Sequence, residues 1–451
     1  MTDTTASQPS HGARRHGALT TPDARTRRRH AAEARFRLYG QLAICIGIAA
    51  LVILLASVLI NGLGSFRQTF LYLDVPLDKQ VLDQSGTRDP EVMRKVTTIG
   101  YGKLIQRALK DTIAAHGIAI DGLSDKDVAD MISKEAAARV RDRVLSNPDL
   151  VGQTLAVKVL ANGRIDGYFK GRVTMASAAR DSNVSTNQLL LADALRAKGL
   201  AQTSFNWRFI TDADASELRP EAAGLGIAII GSAYMMIIVL VLALPIGVAT
   251  SIYLEEFAPR NRWTDVIEVN ISNLAAVPSI VFGILGLAIF INTAGLPQSA
   301  PVVGGLVLTL MTLPTIIIAT RAALKAVPPS IRDAALGVGA SKMQTIMHHV
   351  LPLAMPGILT GTIIGLAQAL GETAPLLLIG MVAFVRDFPD APPEGFFDPA
   401  SALPVQVYNW TQRADPAFVE RASGAIIVLL IFLLIMNAIA IILRRRFERR
   451  W

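Results

Sequence analysis

Asp333–Pro352, DAALGVGASKMQTIMHHVLP, lies between two long apolar segments and decides how the rest of the chain is read. It is too polar to cross a bilayer, yet Leu336, Met343, Ile346, Met347 and Val350 fall three, four or seven residues apart, with Gly339 in the same stripe. Apolar positions at that spacing describe an amphipathic helix held at a membrane surface by its flanking segments. Such a face suits docking into a groove on another protein. The plainer alternative is an interfacial helix with no partner.

On either side the chain is built from apolar blocks. Of 451 residues, 51% are hydrophobic, and the mean hydropathy is positive. The expected class is therefore a polytopic, all-α membrane protein. Six blocks approach or exceed the roughly 20 residues a helix needs to span the hydrocarbon: Gly40–Gly62, Gly226–Tyr253, Val269–Asn292, Val302–Thr320, Ala354–Ala383 and Ser423–Leu443. Residues 39–62 are read as a retained first span, not a cleaved signal peptide, because a long polar lead precedes them. Residues 1–38 and 444–451 are read as basic tails, the first of them disordered.

Between the first two spans, residues 63–222 hold no segment able to cross. Helical patterns at Leu104–His116, Asp125–Leu145 and Gln188–Lys198 mix with alternation over Thr154–Lys170. Asn162-Gly163 interrupts that alternation, which predicts a β-hairpin turn. The expectation is an external α+β domain large enough for its own core. Residues 223–443 then form a five-span core.

Charge sets the expected topology. The tails and the loops Glu255–Glu268 and Arg321–Pro352 carry 19 Lys or Arg in 92 residues, whereas Thr293–Pro301 has none and Val385–Ala422 has three. Basic residues in short loops stay cytoplasmic, so both termini and residues 333–352 are assigned to the cytoplasm. The net charge of +8 thus reads as a topology signal, not as a nucleic-acid footprint.

The same pass excludes several chemistries. No G-x-x-x-x-G-K-[ST] loop is present, so ATP is not expected to bind here by a Walker mechanism. The single cysteine, Cys45, permits neither a disulfide nor a cysteine-based metal site. His348 and His349 are adjacent and cannot share a helix face. No nucleophile–base set and no metal site are read in this chain, and no cofactor is assigned to it.

Two further stretches carry information. Leu370-Gly-Glu-Thr-Ala-Pro-Leu-Leu377 places Glu372 well inside a predicted span, where an ionisable group marks a functional candidate. Pro375 has no N–H for the carbonyl of Gly371, so the helix should loosen or kink beside that carboxylate. An ion pair with an arginine on a partner helix, serving packing alone, is the competing account of Glu372. The second stretch is Ala276-Val-Pro-Ser-Ile-Val-Phe-Gly283, with Pro278 and Ser279 at its centre.

These residues together carry a family resemblance. Asp333-Ala334-Ala335, Gly339 and His349-Val350-Leu351-Pro352 match the spacing of the E-A-A, G, I-x-L-P coupling motif of ABC importer permeases, with Asp for Glu and His for Ile. With Gly371–Pro375, Ala276–Gly283 and Ser251-Ile-Tyr-Leu-Glu-Glu-Phe-Ala-Pro259, the core resembles the phosphate branch of that family, the PstA-type permeases, over residues 223–443. The resemblance implies that Asp333, Ala334, Ala335, Gly339, Leu351 and Pro352 form two short helices docking on an ATPase. It implies that Glu372, Thr373, Pro375, Pro278 and Ser279 line a translocation path. It further implies a homologous PstC-type permease, a pair of PstB-type ATPases holding ATP and magnesium, and an external PstS-type phosphate-binding protein. The insert at 63–222 resembles a region found in one subset of the family. Another oxyanion such as sulfate or molybdate, or a small solute, is the alternative substrate. A membrane sensor with an external ligand domain is the remote alternative.

Overall fold

The computed structural model describes residues 24–83, 86–382 and 384–447. The protein is mostly helical, with one three-stranded antiparallel sheet. It divides into Met1–Ser57 and Val58–Trp451.

The first unit contributes α1 (Ala24–Gly62), and every residue of α1 up to Ser57 is exposed. An apolar helix with no buried face is suited to lipid on all sides. Helix formation starts at Ala24, well before the expected first span, so residues 24–38 are not the disordered tail read from composition. Arg and Ala are strong helix formers and extend a helix already nucleated by the apolar block. Residues 1–23 of that tail lie outside the described residues.

In the second unit, β1 (Arg67–Pro76) is the central strand. Helices α2 (Thr98–Ala115) and α3 (Glu135–Ser146) follow it, then β2 (Thr154–Leu160), α4 (Gly163–Phe169), α5 (Thr186–Ala197) and β3 (Ala201–Phe205). The sheet order is β2-β1-β3, with Leu71 opposite Val159 on one side and Ala201 on the other. Leu71, Leu73, Tyr101, Leu109, Leu189 and Leu195 are buried together between sheet and helices. The expected hairpin at Asn162-Gly163 does not form. Asn162 instead caps α4, its side chain accepting from the Arg164 N–H at 2.9 Å, and β2 pairs with β1. Asn serves a helix start as readily as a turn, so the dipeptide alone does not choose.

The core comprises α6 (Gly226–Ile252), α7 (Arg262–Leu274), α8 (Ser279–Gly286), α9 (Pro301–Lys325), α10 (Pro329–Gly337), α11 (Lys342–Thr345), α12 (Leu351–Gly371), α13 (Ala374–Leu378), α14 (Leu403–Gln412) and α15 (Pro416–Phe447). Among the described residues five helices are long and apolar enough to cross a membrane, six if the bent pair of α7 with Ser279–Thr293 counts as one. Glycines set the close approaches. A Cβ at Gly305 would stand 2.7 Å from Ile238 Cβ, and one at Gly357 would stand 2.6 Å from Ala323 Cβ. Small residues at such seams let α6, α9 and α12 pack without a hydrophobic driving force.

Two expected spans are corrected. Val269–Asn292 is not one straight helix: α7 and α8 meet at 101° across Ala275–Pro278. Pro278 has no N–H and pushes Val277 out of helical geometry. Ala354–Ala383 is likewise not continuous, and the kink expected beside Glu372 is a full break. Its helix begins earlier, joined to α11 through a π-helical turn at Ile346–Val350, and stops at Gly371; Ala383 lies outside the described residues. At the other end of the chain, α15 carries Arg444–Arg446 in its last turn, so the basic tail starts later than expected, and residues 448–451 of it lie outside the described residues.

Candidate functional site

The break after α12 is the first feature to build. Glu372 caps that helix in extended geometry, and its N–H reaches the Ala369 carbonyl at 3.3 Å. The chain resumes at α13, where Thr373 accepts at 3.1 Å from both Leu376 and Leu377 N–H groups and Pro375 fills the first turn. Pro is tolerated there because the first helical N–H groups have no intrahelical acceptor anyway. Glu372 is therefore at a helix junction and not in mid-helix. It is half-buried, and among the described residues its carboxylate makes no ion pair and no side-chain hydrogen bond.

Two of the sequence stretches meet at this break. Helix α8 packs against α13. A Cβ at Gly283 would stand 2.7 Å from Pro375 Cα, so the contact requires glycine. Phe282, Leu370, Leu376 and Ile379 share one buried cluster beneath it. The loop after α13 is tied down by Ser299, whose hydroxyl donates to the Gly380 carbonyl at 2.6 Å. Pro278 caps α8 and Ser279 opens it. The structure thus joins 276–283 to 371–375 through backbone contact.

The segment 333–352 is not one amphipathic helix. Asp333, Ala334 and Ala335 lie on α10, of which Ala335 is buried. Gly339, at φ +90°, reverses the chain with open space where a side chain would be. Ser341 and Gln344 then cap α11 reciprocally. The break divides the apolar stripe: Ile346 is buried, and Val350 packs with Leu324, Val327 and Ile358. Leu336, Val338, Met343 and Met347 stay exposed, Val338 at 86%. Leu351 and Pro352 start α12 and are half-buried.

Sequence reasoning missed a third feature. Where α15 begins, Arg421 is buried and donates to the Ser65 carbonyl at 3.1 Å, to Gln68 Oε1 at 2.7 Å and to the Glu221 carbonyl at 3.1 Å. Beside it Lys170 bridges Asp166 at 2.6 Å and Glu420 at 3.0 Å, and Arg172 also pairs with Glu420. Ser133 donates to Glu221, and the Thr69 N–H donates to Asp166 at 2.8 Å. Burial lifts the Glu221 carboxyl above its usual range and lowers the Lys170 ammonium. The only sequence hint was Glu420-Arg421 directly ahead of an apolar run.

With this geometry described, comparison with known proteins adds the lineage. Residues 243–451 match the family described as binding-protein-dependent transport system inner membrane component, and residues 23–179 match a domain of unknown function. The chain is 34% identical over 253 residues to the probable ABC transporter permease protein YqgI of Bacillus subtilis, covering 54% of this chain and 83% of the relative. It is 33% identical over 229 residues to the phosphate transport system permease protein PstA 1 of Mycobacterium tuberculosis, covering 51% of this chain and 73% of the relative. An inward-facing structure of the MetNI methionine ABC transporter overlaps 50% of this chain and 95% of its own at 16% identity and a TM-score of 0.38, too loose a likeness to carry weight. The chain belongs to the binding-protein-dependent transport system inner membrane components, and is an ABC importer permease of the PstA type.

Proposed function

We propose that this chain is the transmembrane permease subunit of an ATP-driven importer of inorganic phosphate. The observation that carries this reading is Glu372, a carboxylate with no partner among the described residues, at a broken helix packed on a second helix break. Irregular backbone at membrane depth is tolerated where it faces protein or a water-filled path, and anion sites in transporters recur at such interrupted helices. A carboxylate accepts hydrogen bonds and donates none. It therefore favours an oxyanion bearing a P–OH, such as monohydrogen phosphate, over sulfate, which has no proton to offer at neutral pH. The name of the mycobacterial relative, a phosphate transport system permease, supports the same substrate.

In this reading residues 333–352 dock on the ATPase, with Leu336, Val338, Met343 and Met347 as the exposed apolar contacts. Glu372, Thr373, Pro375, Pro278 and Ser279 line the path. The partners are a PstC-type permease, a PstB-type ATPase pair that binds ATP and magnesium, and a PstS-type binding protein on the external side. Both termini are cytoplasmic and the α+β region is external, as the arginine distribution indicates. The test is uptake of labelled phosphate and sulfate in a strain lacking its own importer. Phosphate uptake should require this chain, and Glu372→Gln should reduce it by about tenfold or more while the complex still assembles. Full uptake by that variant would sink the role of Glu372. Sulfate uptake in place of phosphate would move the assignment to another oxyanion.

A further inference from the structure

Arg332 stands one residue before Asp333, at the root of the segment that the proposed function assigns to ATPase docking. Its guanidinium makes four hydrogen bonds. Nε and Nη2 donate to Glu256 Oε1 at 3.1 and 2.7 Å, Nη1 donates to the Val327 carbonyl at 2.8 Å, and Nη2 donates to the Leu324 carbonyl at 2.9 Å. Glu256 lies on the π-helical turn Tyr253–Phe257 that ends α6. Leu324 and Val327 belong to the last turn and exit of α9, where carbonyls no longer receive the i+4 helical N–H and can accept from a side chain. One side chain therefore binds the ends of two spans and the start of α10.

Besides this latch, α10 is held by Ile331, half-buried against the cluster of Leu324, Val327 and Val350. Within α10 only Ala335 is buried, and Gly339 has open space around it. Across the turn, Lys342 on α11 lies over the Phe257 ring at 5.0 Å, an attachment to the same π-helical turn. The spans that Arg332 joins are already locked together, since a Cβ at Gly247 of α6 would stand 2.7 Å from Ile316 of α9. The neighbouring carboxylate, Glu255, faces away from α10, toward Arg321 and Lys325, each at 3.5 Å. A planar fork reaches the carboxylate and the two carbonyls from three separate nitrogens with four hydrogen bonds, whereas a lysine ammonium brings its three donors on a single nitrogen.

We propose that Arg332 is the positioning residue that converts displacement of the 333–352 segment into movement of α6 and α9, with Glu256 as its partner. This rests on the reading that the segment docks on an ATPase. With the latch cut, the ATPase stays bound and hydrolyses ATP, but its strokes no longer reach the spans.

The experiment uses the full-length chain with its partner permease and ATPase in liposomes, loaded with the external binding protein, and reads phosphate transported per ATP hydrolysed. Arg332→Gln and Glu256→Gln should each lower that ratio by about tenfold, the scale of a typical coupling free energy, with ATP hydrolysis and subunit stoichiometry retained. Arg332→Lys should fall between them and the unmodified chain, which shows that the fork and not the charge alone is required. Transport and hydrolysis falling in proportion, or a ratio unchanged in all three variants, would overturn the proposal. Met343→Glu tests the underlying reading separately: if that variant keeps both the ATPase and transport, docking at 333–352 is wrong whatever Arg332 does.

Discussion

Two regions of the second unit treat their difficult side chains in opposite ways. At the start of α15, Asp166, Lys170, Arg172, Glu221, Glu420 and Arg421 bring charge into a buried junction and pair it. Around Gly339, Leu336, Val338, Met343 and Met347 bring apolar surface out into the open and leave it unpaired. Buried charge is stable only when its partners are supplied within the fold, whereas exposed apolar surface is neutral to the fold and available to a partner. The first region is closed within the chain. The second is left open, as the proposed docking face requires.

Four experiments would break or sharpen that contrast, and the largest effect is expected at the closed end. Arg421→Leu takes the donor from the Ser65 and Glu221 carbonyls and from Gln68 Oε1, and removes a cation from among three carboxylates; leaving buried charge uncompensated costs about 3–5 kcal/mol. Thermal unfolding of the solubilised protein should show it, and a change within error would mean that the cluster is not a determinant of stability. Next comes a pH effect centred on Glu221, whose carboxyl lies above its ordinary 4.5 because of burial, with the Ser133 hydrogen bond opposing the rise. The unfolded chain releases that proton at lower pH than the folded chain, so in the window between the two values the folded state binds more protons. Its contribution to stability is therefore greatest below the ordinary value and declines as pH rises through the folded one. Glu221→Gln should flatten that slope in unfolding midpoints measured across pH, and an unaltered slope would place its origin elsewhere.

At the open end the effects on stability should be smaller. Gly339→Ala forces a side chain into φ +90°, which costs about 1–2 kcal/mol. Proteolysis at the turn should rise with little change elsewhere. Met343→Ser with Met347→Ser should move the unfolding midpoint least, since exposed positions change stability by within about 0.5 kcal/mol. The same pair should nevertheless abolish co-purification of the ATPase. If the pair destabilised the isolated chain as strongly as Arg421→Leu, the open end would have to be counted as core.

What the sequence disclosed follows the same division. The apolar blocks, the turn glycine at 339 and the strings around Pro278 and Pro375 were legible because each is a local property of a few consecutive residues. What was hidden depends on residues far apart. Asn162-Gly163 reads as a hairpin until β1, some 90 residues earlier, is known to be the partner of β2. Val277-Pro278 sits inside a run apolar enough to pass as an unbroken span, since hydropathy averages over the very residues that break the helix, whereas the kink expected at Pro375 proved to be a full break. Arg421 was countable as a topology signal, but its contacts with Ser65, Gln68 and Glu221 span 353 or more residues in the first two cases and 200 in the third. The placement of the candidate residues relative to the breaks was thus harder to foresee than their identity.

The seam between Gly283 and Pro375 has a mechanical consequence. One residue brings no side chain to it and the other brings no N–H, so the closest approach between the two helix breaks is main chain against main chain. The spacing of the breaks is therefore fixed by backbone dimensions and not by a rotamer that could adjust, and any side chain at 283 would have to drive them apart.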